Sequence, residues 1–196
     1  METIVFATNN PNKIREVQQL LGSSYQFLSL KEVGCTEELP ETSPTLEGNA
    51  LEKARHLYHN YHHDCFSEDT GLEVEALDGA PGVITAMYAG PERDAQLNMN
   101  KVLRELAPHS NRKAQFRTVI ALIIKGKEYL FEGIVEGVIS PNLQGEDGFG
   151  YDPIFIPEGE TRTFAQMSKE EKNAVSHRGR AIAKLQAFLE KPFNHG

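Results

Sequence analysis

The chain has 196 residues, a formal net charge of −8 and two cysteines. A chain of this length buries about 70% of its unfolded surface. We therefore expect residues 1–196 to form one domain, or one domain in two lobes, without disulfides. The acidic balance argues against a nucleic-acid polymer as partner, because such proteins carry a basic face. It does not exclude a small anion such as a nucleotide, which needs only a few well-placed cations.

Cysteine usage and hydropathy predict a cytoplasmic protein. Cys35 and Cys65 fit no C-x-x-C or Cys/His zinc pattern, and we interpret both as reduced thiols. The first ten residues lack the basic region and apolar run of a signal peptide. The longest apolar run, residues 119–124, is too short to span a bilayer, so no membrane partner is expected.

The hydrophobic pattern predicts strands and helices in alternation. A strand at 3–8, a helix at 13–21 and a strand at 26–30 make a βαβ-like unit. A long helix ends near Tyr61, and two short strands are expected on either side of Thr70 and Gly71. A helix at 93–106 and two long strands at 114–125 and 127–140, joined by the hairpin turn KGK, come next. Ser168 with Glu171 predicts a capping box at the start of a short helix. Ser176 is expected to cap the last helix, whose Ile182, Leu185 and Leu189 face inward. This order predicts an α/β or α+β fold around a mixed sheet.

The motif TNNPNK lies between a predicted strand and a predicted helix. Such a junction presents free backbone N–H groups and the positive end of the helix dipole, which suit a phosphate group. The motif comprises Thr8, Asn9, Asn10, Pro11, Asn12 and Lys13. Asn and Pro are also common turn formers, so the motif alone leaves both interpretations open.

Three carboxylates and a lysine are candidates for a metal site. Glu41 lies in the loop before the long helix, and Glu68 and Asp69 come at a predicted strand end. Mg²⁺ prefers oxygen ligands and usually takes one or two protein carboxylates. Lys53 shares a helix face with Asn49, four residues earlier, and is expected to point into the same site. Acids beside a turn are often only solvated, so this pattern is not specific.

Two later motifs predict a pocket for a flat ligand. In GFGYDPIF, glycines flank Phe149, which allows the backbone to approach a ring system while the aromatic ring stacks on it. In SHRGRA, His177 and Arg178 at a helix start can donate hydrogen bonds in the plane of a base. Lys172, on the preceding helix, is a third donor. A core phenylalanine and solvated basic residues are the alternatives.

The histidines near the end of the long helix give no zinc motif. His59 and His63 are four residues apart, but H-E-x-x-H is absent. We interpret His56, His59, His62 and His63 as residues of a solvated helix end.

Seven motifs in order resemble the inosine/xanthosine triphosphate pyrophosphatase family over nearly the whole chain. They are FATNNPNKIRE, TLEGNALEKA, SEDTGLEV, GAPGV, FRTVIALI, GFGYDPIF and SKEEKNAVSHRGRA. The resemblance implies an α/β fold in two lobes, with a long mixed sheet, flanking helices and a central substrate cleft. It also implies a homodimer and a metal-dependent hydrolase. The enzyme would cut XTP, ITP or dITP between the α and β phosphates.

The resemblance also assigns roles to residues. Thr8, Asn9, Asn10, Pro11, Asn12 and Lys13 match the triphosphate loop, and Thr70 lies beside the substrate. Asp69 matches the metal ligand and proton acceptor, with Glu41 as second ligand, Lys53 near the phosphates and Glu68 as an alternative acid. Mg²⁺ is the expected metal, with Mn²⁺ as a substitute. The base pocket is matched by Phe149, Gly150, Tyr151, Asp152, Lys172, His177 and Arg178.

One position departs from the pattern of many bacterial relatives. The chain has Met87 where an arginine is common, so a phosphate contact from that position is missing. Two alternatives stay open: a pyrophosphatase of broad specificity or one for pyrimidine or modified nucleotides, and a nucleotide-binding sensor without catalysis. The rank order of XTP, ITP and dITP, and the feature that excludes guanine, do not follow from the sequence.

Overall fold

The computed structural model describes residues 2–21, 24–146 and 150–191, with only the backbone of Asn12 and Glu16. Its strands are β1 (Glu2–Phe6), β2 (Tyr25–Leu28), β3 (Cys65–Val74), β4 (Lys113–Ile124), β5 (Lys127–Ile139) and β6 (Phe155–Pro157). Its helices are α1 (Pro11–Leu21), α2 (Leu46–Tyr61), α3 (Ala95–Leu106), α4 (Lys169–Val175) and α5 (His177–Glu190). None of these helices is long and apolar enough to cross a bilayer.

The strands form one six-stranded sheet in the order β2-β1-β3-β4-β5-β6. β1 runs parallel to both β2 and β3, and β5 runs antiparallel to β6. β1, α1 and β2 are the βαβ unit that the sequence predicts. Lys125 and Gly126, both with positive φ, form the two-residue turn between β4 and β5, which is the usual turn chemistry of a tight hairpin. The predicted α/β fold with a mixed sheet and flanking helices is confirmed.

Helix starts are fixed by side-chain caps. Thr45 Oγ1 accepts from the backbone N–H of Gly48 at 3.0 Å at the start of α2. At α4, Ser168 and Glu171 form the predicted capping box, since each side chain accepts from the other's backbone N–H. Ser176 Oγ accepts from Gly179 N at 3.0 Å and caps α5, also as predicted.

β3 differs from the prediction of two short strands broken at Thr70 and Gly71. It runs unbroken over ten residues, because it lies inside the sheet between β1 and β4, where neighbours on both sides hold the backbone extended. Thr70 Oγ1 lies 2.8 Å from Thr118 Oγ1 of β4, a cross-strand contact that supports the pairing. Local turn propensity is outweighed by tertiary pairing at this position.

The chain divides into two compact units, and each has its own core. Unit 1 comprises residues 1–69, 119–132 and 181–196, and unit 2 comprises residues 70–118 and 133–180. In unit 1, alternate residues of β4 join two different apolar clusters, Ile120, Leu122 and Ile124 in one and Val119, Ala121 and Ile123 in the other. The predicted inward face of the last helix, Ile182, Leu185 and Leu189, is buried in the first of these clusters.

Candidate functional site

The loop between β1 and α1, the predicted phosphate loop, is shaped by its own polar side chains. Asn10 N donates to Thr8 Oγ1 (3.1 Å), and Asn10 Oδ1 accepts from Lys13 N (3.4 Å) at the start of α1. Asn9 Oδ1 accepts from Lys31 N (2.8 Å). Pro11 is the first residue of α1, a position where its missing N–H costs nothing. The loop therefore presents a helix N-terminus with a lysine in its first turn.

Lys53 is the centre of an ion-pair cluster in unit 1. Its Nζ lies 2.8 Å from Glu41 Oε1, 3.9 Å from Asp69 Oδ1 and 2.6 Å from the backbone oxygen of Glu68. It thus joins the loop before α2 to strand β3. The structure brings together the acids and the lysine that the sequence singled out.

The two adjacent acids of β3 face different lysines. Glu68 Oε1 lies 2.9 Å from Lys13 Nζ of α1, whereas the carboxylate of Asp69 lies near Lys53 of α2. Successive side chains of a strand point to opposite faces, which explains the division. The side chains of Glu68 and Asp69 are only 10% and 16% exposed, so their charges are weakly screened by water.

Two contacts that the sequence did not predict hold the loop that carries Glu41. Thr42 N donates to Glu52 Oε2 (2.7 Å) and the Thr42 hydroxyl donates to the same carboxylate, while Ser43 N donates to Asn49 Oδ1 (2.8 Å). The hydrogen bonds from Thr42 lower the pKa of Glu52. Because Asn49 and Glu52 lie on α2, they fix the position of Glu41 relative to Lys53.

The donor chemistry of this cluster suits a hard divalent cation. Glu41 and Asp69 offer carboxylate oxygens at 2.8 and 3.9 Å from one ammonium group. Such an arrangement matches the one or two protein carboxylates that Mg²⁺ usually takes, with water and phosphate oxygens as its other ligands. These two residues are the ones that could hold the ion.

Unit 2 contains the predicted base-pocket residues. Lys172 Nζ lies 2.6 Å from Asp152 Oδ2 and 5.6 Å from the ring centroid of Phe164. His177 stacks on Phe116, with ring centroids 4.8 Å apart and planes at 17°. Phe116 also contacts Phe164, with centroids 6.1 Å apart. An aromatic cluster thus supports both Lys172 and His177. The place of Phe116 in this cluster was not predicted from sequence, because only contacts between distant parts of the chain reveal it.

The remaining predicted residues of unit 2 have different environments. Tyr151 is buried, and its hydroxyl donates to the Thr85 carbonyl (2.7 Å); burial raises its pKa. Gly150 has a φ of +60°, a conformation that favours glycine. Arg178 is partly buried at the start of α5. Phe149 lies outside the described residues.

Known proteins match this chain over nearly its whole length. Residues 4–188 match the Ham1 family. A dITP/XTP pyrophosphatase of Flavobacterium psychrophilum is 54% identical over 187 residues, which cover 95% of this chain and 98% of the relative. A dITP/XTP pyrophosphatase of Porphyromonas gingivalis is 52% identical over 191 residues, which cover 96% of this chain and 98% of the relative. A HAM1 protein structure from Coxiella burnetii has a TM-score of 0.94 at 36% identity and covers 98% of this chain and 100% of that one. The chain therefore belongs to the Ham1 family.

Proposed function

We propose that the chain is a nucleoside-triphosphate pyrophosphatase that hydrolyses XTP, ITP and dITP to the monophosphate and pyrophosphate. Its relatives at about half identity carry the name dITP/XTP pyrophosphatase. The observation that carries the proposal is the convergence of Glu41 and Asp69 on Lys53 Nζ, at 2.8 and 3.9 Å. Such an enzyme removes deaminated purine nucleotides from the nucleotide pool.

The main task of the site is electrostatic, because negative oxygens shield the α-phosphorus from an attacking water. Lys13 and Lys53 would neutralise charge on the triphosphate and on the departing pyrophosphate. Mg²⁺, or Mn²⁺ in its place, held by Glu41 and Asp69, would supply further charge neutralisation when bound. Thr8, Asn9 and Asn10 keep the N–H groups of the loop in position for phosphate oxygens.

Asp69 is our choice for the group that accepts the proton of the attacking water. Glu68 Oε1 is engaged by Lys13 at 2.9 Å, so its charge serves to position that lysine. Asp69 shares Lys53 with Glu41, the other acid that would hold the metal. A carboxylate in this position can deprotonate water directly or through the metal.

Selection of the base follows from donors and acceptors. Hypoxanthine and xanthine carry a 6-oxo acceptor, whereas adenine carries an amino donor at that position. His177 and Arg178 would donate to the 6-oxo group, and adenine would leave these donors unpaired. Lys172 is held by Asp152 at 2.6 Å, which fixes its direction. Thr70 lies next to Asp69 in the chain and would contact the substrate.

Product analysis with Mg²⁺ tests the proposal, comparing dITP and XTP with ATP, GTP and dTTP. We expect monophosphate and pyrophosphate from dITP and XTP and little product from the other three. Similar turnover of all five would leave a pyrophosphatase without base selection. Tight binding without turnover would contradict catalysis and indicate a sensor.

We also propose that the protein is a homodimer in the cytoplasm, the compartment whose nucleotide pool it would clear. The resemblance to the pyrophosphatase family supports this assembly. Light scattering on a size-exclusion column measures the mass of the particle directly. A particle of about the 21.9 kDa chain mass would contradict the dimer.

A further inference from the structure

A second cluster of possible metal ligands lies in unit 1, formed by Cys35, Glu37 and His56. Their ligand atoms all lie within 4.8 Å of one another. Cys35 Sγ is 3.4 Å from Glu37 Oε1, and His56 Nε2 is 2.9 Å from Glu37 Oε2. The sequence predicted a solvated helix end for His56; the structure adds that its ring contacts Glu37 and that its side chain is 24% exposed.

We propose that Cys35, Glu37 and His56 bind a thiophilic divalent cation of the Zn²⁺ type, at a site separate from the acids around Lys53. Thiolate, imidazole and carboxylate are the three ligand types that Zn²⁺ takes in proteins. A thiolate and a carboxylate balance the charge of a divalent ion, and the imidazole binds as a neutral ligand. The proposal does not depend on the proposed function.

The distances between the ligand atoms are close to those found between the ligands of a bound zinc ion. Zn–S and Zn–N bonds of about 2.3 and 2.0 Å in tetrahedral geometry place sulfur and nitrogen about 3.5 Å apart. The ligand atoms lie up to 4.8 Å apart, so they must move together by about 1 Å to bind one ion. Rotation of the side chains can supply this movement, because the ligands are on short side chains or at the surface. The side chain of Glu37 is 43% exposed, which leaves access for the ion and for a water as fourth ligand.

The backbone and neighbouring side chains hold the ligands in position. Cys35 N donates to the Leu30 carbonyl (2.9 Å), after a turn in which Gly34 has a φ of +84°. The Tyr61 hydroxyl donates to Glu37 Oε1 (2.6 Å). The Asn60 amide lies 3.3 Å from His56 Nδ1, where metal-bound histidines usually have a hydrogen-bonding partner. With its amide rotated, Asn60 would accept from Nδ1–H when Nε2 binds the ion.

Binding at this site would fasten the loop before α2 to the helix. Cys35 and Glu37 belong to the loop that continues to Glu41, and His56 lies one turn after Lys53 on α2. A ligand that binds only the folded state raises stability according to its concentration and affinity. We therefore expect Zn²⁺ to raise the melting temperature of the full-length protein.

Cobalt spectroscopy of the full-length chain, freed of metal with a chelator, tests the site. Co²⁺ is the probe, because a thiolate–cobalt charge-transfer band reports a bound cysteine. We expect one equivalent of Co²⁺ to give this band, Zn²⁺ to abolish it and excess Mg²⁺ to leave it unchanged. Cys35→Ser should lose the band. Cys65→Ser is the matched control and should keep it, because Cys65 is the only other thiol and its Sγ contacts the Ala54 carbonyl.

Glu37→Gln provides a second variant, since its side chain is 43% exposed and is not part of the core. It should weaken Co²⁺ binding at least about tenfold without a change in circular dichroism. The absence of a charge-transfer band in the unmodified chain would overturn the proposal. Its loss in Cys65→Ser, or its persistence in Cys35→Ser, would do the same. None of these outcomes depends on nucleotide hydrolysis, so failure here is distinct from failure of the proposed function.

Discussion

Glu68 and Asp69 are adjacent in the chain but are expected to differ in their effect on catalysis. Asp69→Asn should lower kcat by about 10²–10⁴-fold, because it removes the group proposed to accept the proton from water. Glu68→Gln should mainly raise KM, because it releases Lys13 from its 2.9 Å contact and disturbs phosphate binding. Steady-state kinetics with dITP measure both parameters. The opposite pattern would make Glu68 the proton acceptor.

Base selection is also decided by single side chains. Arg178→Ala should reduce kcat/KM for dITP at least about tenfold more than for ATP, because only the 6-oxo base uses the proposed donor. The ratio of kcat/KM values for the two nucleotides measures the effect independently of enzyme concentration. Equal losses on both would rule out a role in base recognition and leave Arg178 as a general contact.

The start of α2 depends on a glycine. Alanine is normally more stable than glycine in a helix by about 1 kcal/mol, yet a Cβ at Gly48 would lie 1.9 Å from Ser43 Oγ and 2.9 Å from Thr45 Oγ1. Gly48→Ala should therefore displace the loop that carries Glu41, lower the melting temperature and reduce activity. The double variant Gly48→Ala, Ser43→Gly should recover part of the stability, since it removes the nearest clash. A more stable Gly48→Ala variant would contradict this account.

The start of α4 should contribute to acid sensitivity. Hydrogen bonds from Arg162 and Ser168 lower the pKa of Glu171 to about 2, from an ordinary value of 4.5. The carboxylate therefore adds stability above about pH 4.5, and this contribution is lost as the pH falls toward 2. The free energy of unfolding in urea should fall less between pH 7 and pH 3 for Glu171→Gln than for the parent protein. Glu170→Gln, with the same charge change on the same helix, is the control, and an equal effect of both variants would contradict the role of Arg162.

Local signals predicted the elements well, whereas long-range contacts were not accessible. The α4 capping box, the turn at Lys125 and the inward face of α5 follow from short patterns, and the structure confirms them. The unbroken β3 depends on pairing with two neighbouring strands. Phe116 beneath His177 depends on residues far apart in the chain.

The same distinction holds for the two clusters of unit 1. Lys53, Glu68 and Asp69 could be named from sequence because the family motifs contain them, and Glu41 because of its place in the loop before α2. The Cys35, Glu37 and His56 cluster could not, because its members lie 2 and 19 residues apart, a spacing that matches no zinc motif. The packing of the loop on α2 determines which of these side chains are in contact, and the sequence alone does not show it.

At the scale of the whole molecule, burial of residues 119–124 of β4 on both faces has a consequence for biosynthesis. Residues 119–124 form an uncharged, β-prone run, the kind of segment that aggregates when exposed. The face formed by Ile120, Leu122 and Ile124 is covered partly by Leu185 and Leu189 of α5, which leave the ribosome only after most of the chain. The nascent protein must therefore keep this strand from other chains until α5 has been synthesised, so a chain truncated before α5 should collect in the insoluble fraction.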